Sequence, residues 1–395
     1  MRVLYICNEY PPAVHGGLGI FVRTLVEKLA AAGHATAVLG FASQVATKTH
    51  NTENGVAVVR LPWPVTRKSV RLGRFRLDST MLRARQTLSM EAARLAAAFR
   101  PSLVESHDWS GPLWSAPARP LLVRLHGASS VCARLRGKRP SRLLKFFERR
   151  NLRMADAVVT PSGFIGQSTF DAFRLRGKSF TILHHGVDTR QFHPAESTRD
   201  PNEVLFVGTI KPQKGVQELF QAMPRIFEAA PQARFTFVGR HPAEPSQPCS
   251  PQALLQTLPA VLRPRVRFLG HVPRAELPDI YSRAAVAVVP SHTEAFGLTC
   301  VEAMACGAAV VMTLRGSGPE LVEHGRSGLL VDPFDIGALA CAVARLLGNA
   351  DLRRQLGAAA RSRAIEKFDL GGAAVRNIAL YEELASRFSE RVVYV

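Results

Sequence analysis

Two glutamates with seven residues between them, Glu294 and Glu302 in "HTEAFGLTCVEAMACG" (292–307), stand in a segment that is otherwise mostly apolar. Thr299-Cys300-Val301-Glu302 has the spacing of a capping box, with Thr at the N-cap and Glu three residues on. Gly307 then ends a helix of about two turns. This explains Glu302 as structure and leaves Glu294 unexplained, because Glu294 precedes the cap and follows the apolar run "AAVAVVP" (284–290), which reads as a buried strand. A strand, a glycine-containing loop and a helix N-terminus in succession bring backbone N–H groups together where an anion is held. A carboxylate beside a phosphate site must serve another part of the same ligand, such as sugar hydroxyls.

Two other stretches have this form. "HGGLG" (15–19) follows the first strand and a Pro-Pro loop and opens an amphipathic helix through Leu29. Its glycines, Gly16 and Gly17 among them, are either a tight turn or a loop that lets the backbone approach a ligand closely. "VGTIKPQKG" (207–215) ends a strand at Gly208 and leads into a helix with Lys214 at its start. The helix macrodipole opposes a lysine there. Either a ligand phosphate lies between them or Lys214 is a solvated loop residue.

Residues so spaced need elements to bring them together. "RVLYIC", "ATAVLGF", "VAVVRL", "SLVESH", "PLLVRL", "DAVVTP" and "FTILHH" are short apolar runs separated by longer helical or loop stretches, which implies a parallel sheet covered on both faces. The pattern pauses over the polar segment Gly186–Asn202, taken as an interdomain linker. It resumes with "EVLFVGT", "RFTFVGR", "RVRFLG", "AVAVVP" and "AAVVMT", and turns helical after Asp335. The expected architecture is α/β, two Rossmann-like doubly wound domains over 1–190 and 200–370, facing a cleft. A last helix, about 370–395, is expected to pack back on the first domain.

The 395 residues suffice for two such cores, and 47% hydrophobic with 21% charged residues is the composition of a soluble globular protein. The N-terminal apolar run breaks at Asn8 and Glu9, so it is neither a signal peptide nor a membrane span, and a cytoplasmic protein is expected. Six scattered cysteines without a CxxC pair are expected to be reduced core residues. The net charge is +20, and it is lopsided: residues 1–190 hold 29 Lys+Arg against 11 Asp+Glu, the remainder 22 against 20. A basic first half calls for an anionic partner.

Taken together, these motifs resemble the retaining GT-B glycosyltransferases, particularly family 4. "EAFGLTCVEAMACG" is similar to the family's E-x7-E signature, "NEYPPAVHGGLG" to its first glycine loop, "SHDW" and "RLHG" to its cleft-facing strand ends. "HHGVDTRQFHP" is similar to the interdomain segment, "VGTIKPQKG" to the phosphate loop and "GRSGLLVDP" to the closing stretch. The resemblance implies that the C-terminal domain binds a UDP-, GDP- or ADP-linked sugar as co-substrate, with no cofactor. It gives Glu302 the ribose hydroxyls, and Glu294 with the backbone of Phe296, Gly297 and Leu298 the donor sugar. Thr299, Gly16, Gly17, Gly208, Thr209 and Lys214 fall on the diphosphate side, with His126, Glu294 and Lys214 in catalytic positions. His107 and Asp108 fall on the acceptor side. The family's arginine after the phosphate-loop glycine is replaced by Thr209, a departure that Lys211 or another arginine must cover.

No Asp-x-Asp occurs in the chain, so the resemblance implies metal-independent transfer, with charge on the leaving diphosphate met by Lys214 and backbone N–H groups. It further implies a front-face route to retention, in which the departing phosphate oxygen helps deprotonate the acceptor hydroxyl. A glycan or lipid-linked acceptor in cell-envelope glycolipid or polysaccharide synthesis is expected, with a soluble glycogen synthase-like α-glucan glucosyltransferase as the alternative and a nucleotide-sugar epimerase as a weaker one. The basic clusters Thr66–Leu77 and Arg134–Arg153 suit an anionic membrane surface, the second through Arg139, Arg142, Lys145, Phe146 and Phe147 on an interfacial helix. A solvated basic face is the plainer reading of the same run. RNA binding is disfavoured, because nine basic residues in Arg134–Arg153 are interleaved with only two aromatics.

Overall fold

The computed structural model describes all residues except 13–15, 65–68, 73–74, 196–198, 245 and 394–395, and the side chains of 16–17, 69–72, 75–79 and 390–393 besides. The chain divides into two compact units: Met1–His184 with Ala373–Val395, and His185–Gly372. The charge follows this division. The first unit carries 31 Lys+Arg against 13 Asp+Glu, a net of +18, and the second 20 against 18.

The first unit is built from β1 (Arg2–Ile6), α1 (Gly16–Ala31), β2 (Ala35–Ala42), β3 (Thr49–Glu53), β4 (Val56–Pro62), β5 (Ser69–Leu72), β6 (Phe75–Asp78), α2 (Ser79–Phe99), β7 (Leu103–His107), β8 (Leu121–Arg124), α3 (Ser129–Leu135), α4 (Arg142–Met154), β9 (Ala157–Thr160), α5 (Gly163–Phe173) and β10 (Thr181–Ile182). Its eight-stranded sheet runs β10-β9-β8-β7-β1-β2-β4-β3. All pairs are parallel except β3 with β4. The expected apolar runs are its strands; the polar β3, "THNTE", was not expected. It pairs through the two-residue turn Asn54-Gly55, both at positive φ (49° and 79°), where a hairpin connection of this kind requires such residues.

The second unit comprises β11 (Asp200–Val207), α6 (Val216–Ala229), β12 (Arg234–Val238), α7 (Pro251–Gln256), β13 (Val266–Gly270), α8 (Leu277–Arg283), β14 (Ala284–Val289), α9 (Leu298–Ala305), β15 (Ala309–Thr313), α10 (Gly318–Leu321), β16 (Leu329–Val331), α11 (Ile336–Gly348) and α12 (Ala350–Phe368). Its six strands lie in the order β13-β12-β11-β14-β15-β16, every pair parallel. This is the doubly wound order 3-2-1-4-5-6, which reverses between β11 and β14. The parallel strands of the first unit repeat it, reversing between β1 and β7.

Gly186–Asn202, expected to be a linker, is part of the second unit. Val187 and Phe192 lie in its core, Val187 N–H donates to Phe368 O (2.9 Å), and β11 already starts at Asp200. The last helix, α13 (Leu370–Val393), carries Ala374, Tyr381 and Leu384 into the core of the first unit. All six cysteines are free; Cys7, Cys249, Cys300 and Cys306 are buried, but Cys132 is half-buried and Cys341 exposed, so the expectation of six core residues fails for those two.

Candidate active site

In a doubly wound sheet, ligands meet the carboxyl ends of the strands where the order reverses, because the flanking loops diverge there and leave a crevice. In the second unit this point receives the turn after β11, Gly208–Gly215, and the loop after β14, Pro290–Gly297. The two loops are stitched together: His292 N–H donates to Gln213 O (3.1 Å), and a Cβ on Gly215 (φ +68°) would lie 1.7 Å from Pro290 O. Only glycine allows that approach.

The stitching sets Lys214, in a 3-10 turn just ahead of α6, against Glu294. Lys214 Nζ donates to Glu294 Oε1 (2.5 Å), which also accepts from Ser291 Oγ (2.6 Å). Eighty residues apart in sequence, the two form one charged group. The lysine facing a helix N-terminus therefore has a carboxylate as its direct partner. Glu294 is buried while the Lys214 side chain is 29% exposed, so the cation keeps an open side. The Glu294 backbone is fixed as well: it bridges Gly316, and its carbonyl accepts from Ser317 N–H (3.1 Å).

Thr299 is not the N-cap of α9. The cap is Gly297 at φ +99°, α9 starts at Leu298, and Cys300 and Val301 N–H both turn back to Gly297 O. A left-handed residue at the cap supplies the sharp turn that a Thr side chain was expected to secure. The N–H groups of Leu298 and Thr299 thus belong to the first turn, ahead of the first intrahelical bond. Glu302 makes no capping box. It lies a turn further on, 2% exposed, with Oε1 2.6 Å from Arg274 Nη1 and Oε2 accepting from Tyr281 OH (3.1 Å). Burial pushes its pKa up, against Arg274 and Tyr281, which pull it down. Arg274 is 37% exposed and lies over the Phe192 ring (4.8 Å). The Phe296 ring is core, packed on His185 and Phe368, so only its backbone borders the loop.

Thr209 is exposed, as is Lys211. Beside them the neighbouring strand contributes Arg240, whose carbonyl accepts from Ile210 N–H (2.7 Å) just after Gly239. The sequence singled out neither Arg240 nor Arg274; both follow strand ends at the carboxyl edge, a position visible only once strand order is known.

In the first unit, the carboxyl ends of β7 and β8 carry His107, Asp108 and His126. His126 N–H donates to Asp108 Oδ1 (2.9 Å), and its half-buried ring rests on Phe21 (5.8 Å). Asp108 Oδ2 and both ring nitrogens of His107 are buried without a hydrogen-bond partner among the described residues. Burial pushes Asp108 up to about 7 and His107 down to about 4, leaving the imidazole neutral. His107 lines a cavity of about 250 Å³ with Asn8, Glu9, Phe41, Trp63, Arg85 and Trp109 among its walls. Trp63 stacks on Phe41 at 4.8 Å. Gly16 and Gly17 open α1, but their surroundings, like His15, lie outside the described residues.

The interfacial helix expected from Arg134–Arg153 is corrected in part. Phe147 is buried beneath the Arg85 guanidinium (4.2 Å), and Glu148, Asn151 and Leu152 on the same face of α4 are buried too. Glu148 accepts from Ser110 N–H (3.2 Å) and Ser130 N–H (3.1 Å), and Asn151 Nδ2 donates to His107 O (3.0 Å). The apolar side of α4 thus supports the His107–Ser110 loop and is closed to lipid. Arg139, Arg142 and Phe146 (56% exposed) remain on the surface, with Lys145 half-buried. In Thr66–Leu77 the backbones of β5 and β6 pair antiparallel; the rest of that cluster lies outside the described residues.

Residues 16–173 match the family model for the glycosyl transferase 4-like domain, and residues 188–363 that for glycosyl transferases group 1. The chain is 30% identical to the glycogen synthase of Mycobacterium tuberculosis, covering 99% of this chain and 96% of the relative. Its fold is shared with sucrose-phosphate synthase from Thermosynechococcus elongatus (TM-score 0.81, 24% identity, 98% of this chain and 99% of that one). HepE of Anabaena, solved in complex with UDP-glucose, has the same fold (TM-score 0.68, 19% identity, 99% and 100%). The chain belongs to this glycosyltransferase family: it is a sugar-transferring enzyme of the GT-B fold.

Proposed function

We propose that the protein moves a sugar, with retention, from a nucleotide-diphosphate sugar to a hydroxyl of a saccharide acceptor. The observation that carries this is the Lys214–Glu294 pair at the reversal point of the second sheet, beside the first turn of α9. Lys214 and the Leu298 and Thr299 N–H groups are the cationic and polar donors suited to a diphosphate, and stabilise it as charge develops on departure. Glu294 and Glu302 are the acceptors that suit sugar and ribose hydroxyls. Arg240, beside the Gly208–Gly215 turn, and Arg274, paired with Glu302, are further cations following strand ends of the unit in which Thr209 replaces the family's arginine. Transfer through the departing phosphate oxygen asks for no further base and, with this set of donors, no metal. The HepE complex with UDP-glucose supports a UDP-linked glucose among the candidate donors.

The acceptor reading rests on the first-unit cavity. Trp63 and Trp109, both partly exposed, and Phe41 offer flat apolar faces on which sugar rings stack, with Glu9, Asn8 and His107 as polar partners. The test is turnover of UDP-, GDP- and ADP-sugars in EDTA, first alone and then with maltooligosaccharides. Hydrolysis of one donor, accelerated by a saccharide and insensitive to EDTA, is expected; turnover only on restoring Mg2+ or Mn2+ would overturn the metal-free reading.

A membrane-borne acceptor is the second reading, favoured by Phe146 exposed among Arg139, Arg142 and Lys145 on a unit of net charge +18. No helix among the described residues is long and apolar enough to cross a membrane, so contact would be peripheral. Co-sedimentation with phosphatidylglycerol but not phosphatidylcholine vesicles, lost on reversing Arg139, Arg142 and Lys145, is expected from that reading; equal recovery in both supernatants would sink it.

A further inference from the structure

A second cluster of cations lies at the opposite edge of the first unit's sheet. Arg149 and Arg153 of α4 precede the amino end of β9; Arg174, Leu175, Arg176 and Lys178 lead from α5 into the amino end of β10. These six residues line a cavity of about 360 Å³. The two connections are tied, since Lys178 Nζ donates to Ala155 O. His107, Asp108 and His126 stand at the carboxyl ends of β7 and β8, so this cavity is separate from the candidate site by the height of the sheet.

Three features distinguish it from an ordinary basic surface. Among the described residues no carboxylate lines it: Asp156 is held by Arg119 and by Leu121 N–H (2.8 Å), and Glu148 is buried against Ser110 and Ser130. Arg149 Nε is buried without a hydrogen-bond partner among the described residues. Arg174 closes α5 in the left-handed conformation (φ 51°, ψ 56°), where glycine is the favoured residue. Asp156 acts on Lys178 from beside Ala155, but it is shared with Arg119, so five cations gathered around a cavity have at most one carboxylate near them and suit an anion of several charges. Guanidinium forks match the paired oxygens of phosphate better than a single carboxylate would use them.

We infer that this cavity binds a phosphate-bearing anion, carried either by a soluble phosphorylated compound or by a lipid headgroup, independently of the donor site. The experiment titrates the full chain carrying Lys214→Gln, which weakens phosphate binding at the donor side, with inorganic pyrophosphate. The same chain is then tested with R149Q, R174Q and R176Q added, and, as an equal-charge control, with the exposed Lys28, Arg83 and Arg100 changed to Gln instead. The cavity variant should bind pyrophosphate about ten-fold or more weakly, the control within about two-fold, with melting temperatures confirming that each is folded. Vesicles of phosphatidic acid against phosphatidylcholine distinguish the sources: weakened vesicle binding in the cavity variant points to a headgroup, weakened pyrophosphate binding alone to a soluble compound. Equal weakening in control and cavity variants would overturn the site, showing net charge alone at work. Loss confined to an RNA oligonucleotide would overturn it in favour of a polynucleotide surface.

Discussion

Both units hold buried carboxylate–cation pairs near the carboxyl ends of their strands, and the two kinds differ in how far they are closed. In the first unit Arg124, 1% exposed, donates from Nε to Glu105 Oε1 (2.7 Å) and from Nη2 to Glu105 Oε2 (3.1 Å), Asn377 Oδ1 (2.6 Å) and Tyr381 OH (3.2 Å). Tyr381 OH in turn donates to Glu105 Oε2 (2.5 Å), so the network holds α13 in the unit. In the second unit Glu294 and Glu302 are buried too, but their partners Lys214 and Arg274 reach solvent. A pair closed on all sides, where even the one donor left without a partner among the described residues, Arg124 Nη1, is buried, is out of reach of a ligand and acts on stability. A pair with one exposed member can turn that member to an anion while the other stays fixed.

The largest effect expected from this contrast is on folding. Glu105→Gln leaves a buried guanidinium without its counter-charge and should cost about 3–5 kcal/mol, read from denaturant unfolding. Replacing both members, Glu105→Leu with Arg124→Met, should recover much of that loss, because the desolvation of two charges disappears with them. An unchanged midpoint for Glu105→Gln would mean that the closed network is not a stabilising element.

Next in size is the open pair. Glu294→Ala should lower kcat about a hundred-fold or more, as loss of one group that acts in the transition state does, while shifting unfolding by no more than about 1 kcal/mol because Lys214 returns to solvent. Near-native kcat would remove Glu294 from the donor site; a stability loss as large as that of Glu105→Gln would erase the contrast.

How much of this was legible in sequence follows from what each signal measures. Buried parallel strands are continuous apolar runs, so "AAVAVVP" and its counterparts declared both sheets and the loops that end them. Edge strand β3 is polar and exposed, with only its Asn-Gly turn to reveal it. The Thr299 spacing fitted a cap, but Gly297 already made the turn. The linker looked polar because its two anchoring residues, Val187 and Phe192, are few among many polar ones, although both are fully packed. In α4 a basic, amphipathic pattern showed that one face is apolar and said nothing of what covers it. Partners such as Arg274 for Glu302 join different loops through tertiary packing, and no local spacing records them.

The smallest net effect concerns pH, and it separates two neighbours in the first unit. Asp108 rises from its ordinary 3.8 to about 7, so its folded form holds a proton that the unfolded chain has lost. Its contribution to stability is full below about pH 3.8 and is lost as pH rises through 7. His107 moves the other way, from 6.5 down to about 4; its contribution is present above 6.5 and is lost as pH falls through 4. Both shifts come from burial, and between about pH 4 and 6.5 they oppose each other, so the wild-type protein should show little dependence from this pair. Asp108→Asn unmasks His107, and stability should then rise with pH across that window. His107→Gln unmasks Asp108, and stability should fall across it. Parallel pH profiles for the two variants would show that these groups are not buried as described, and the unpaired atoms of His107 and Asp108 would then already be in water rather than held ready for an acceptor.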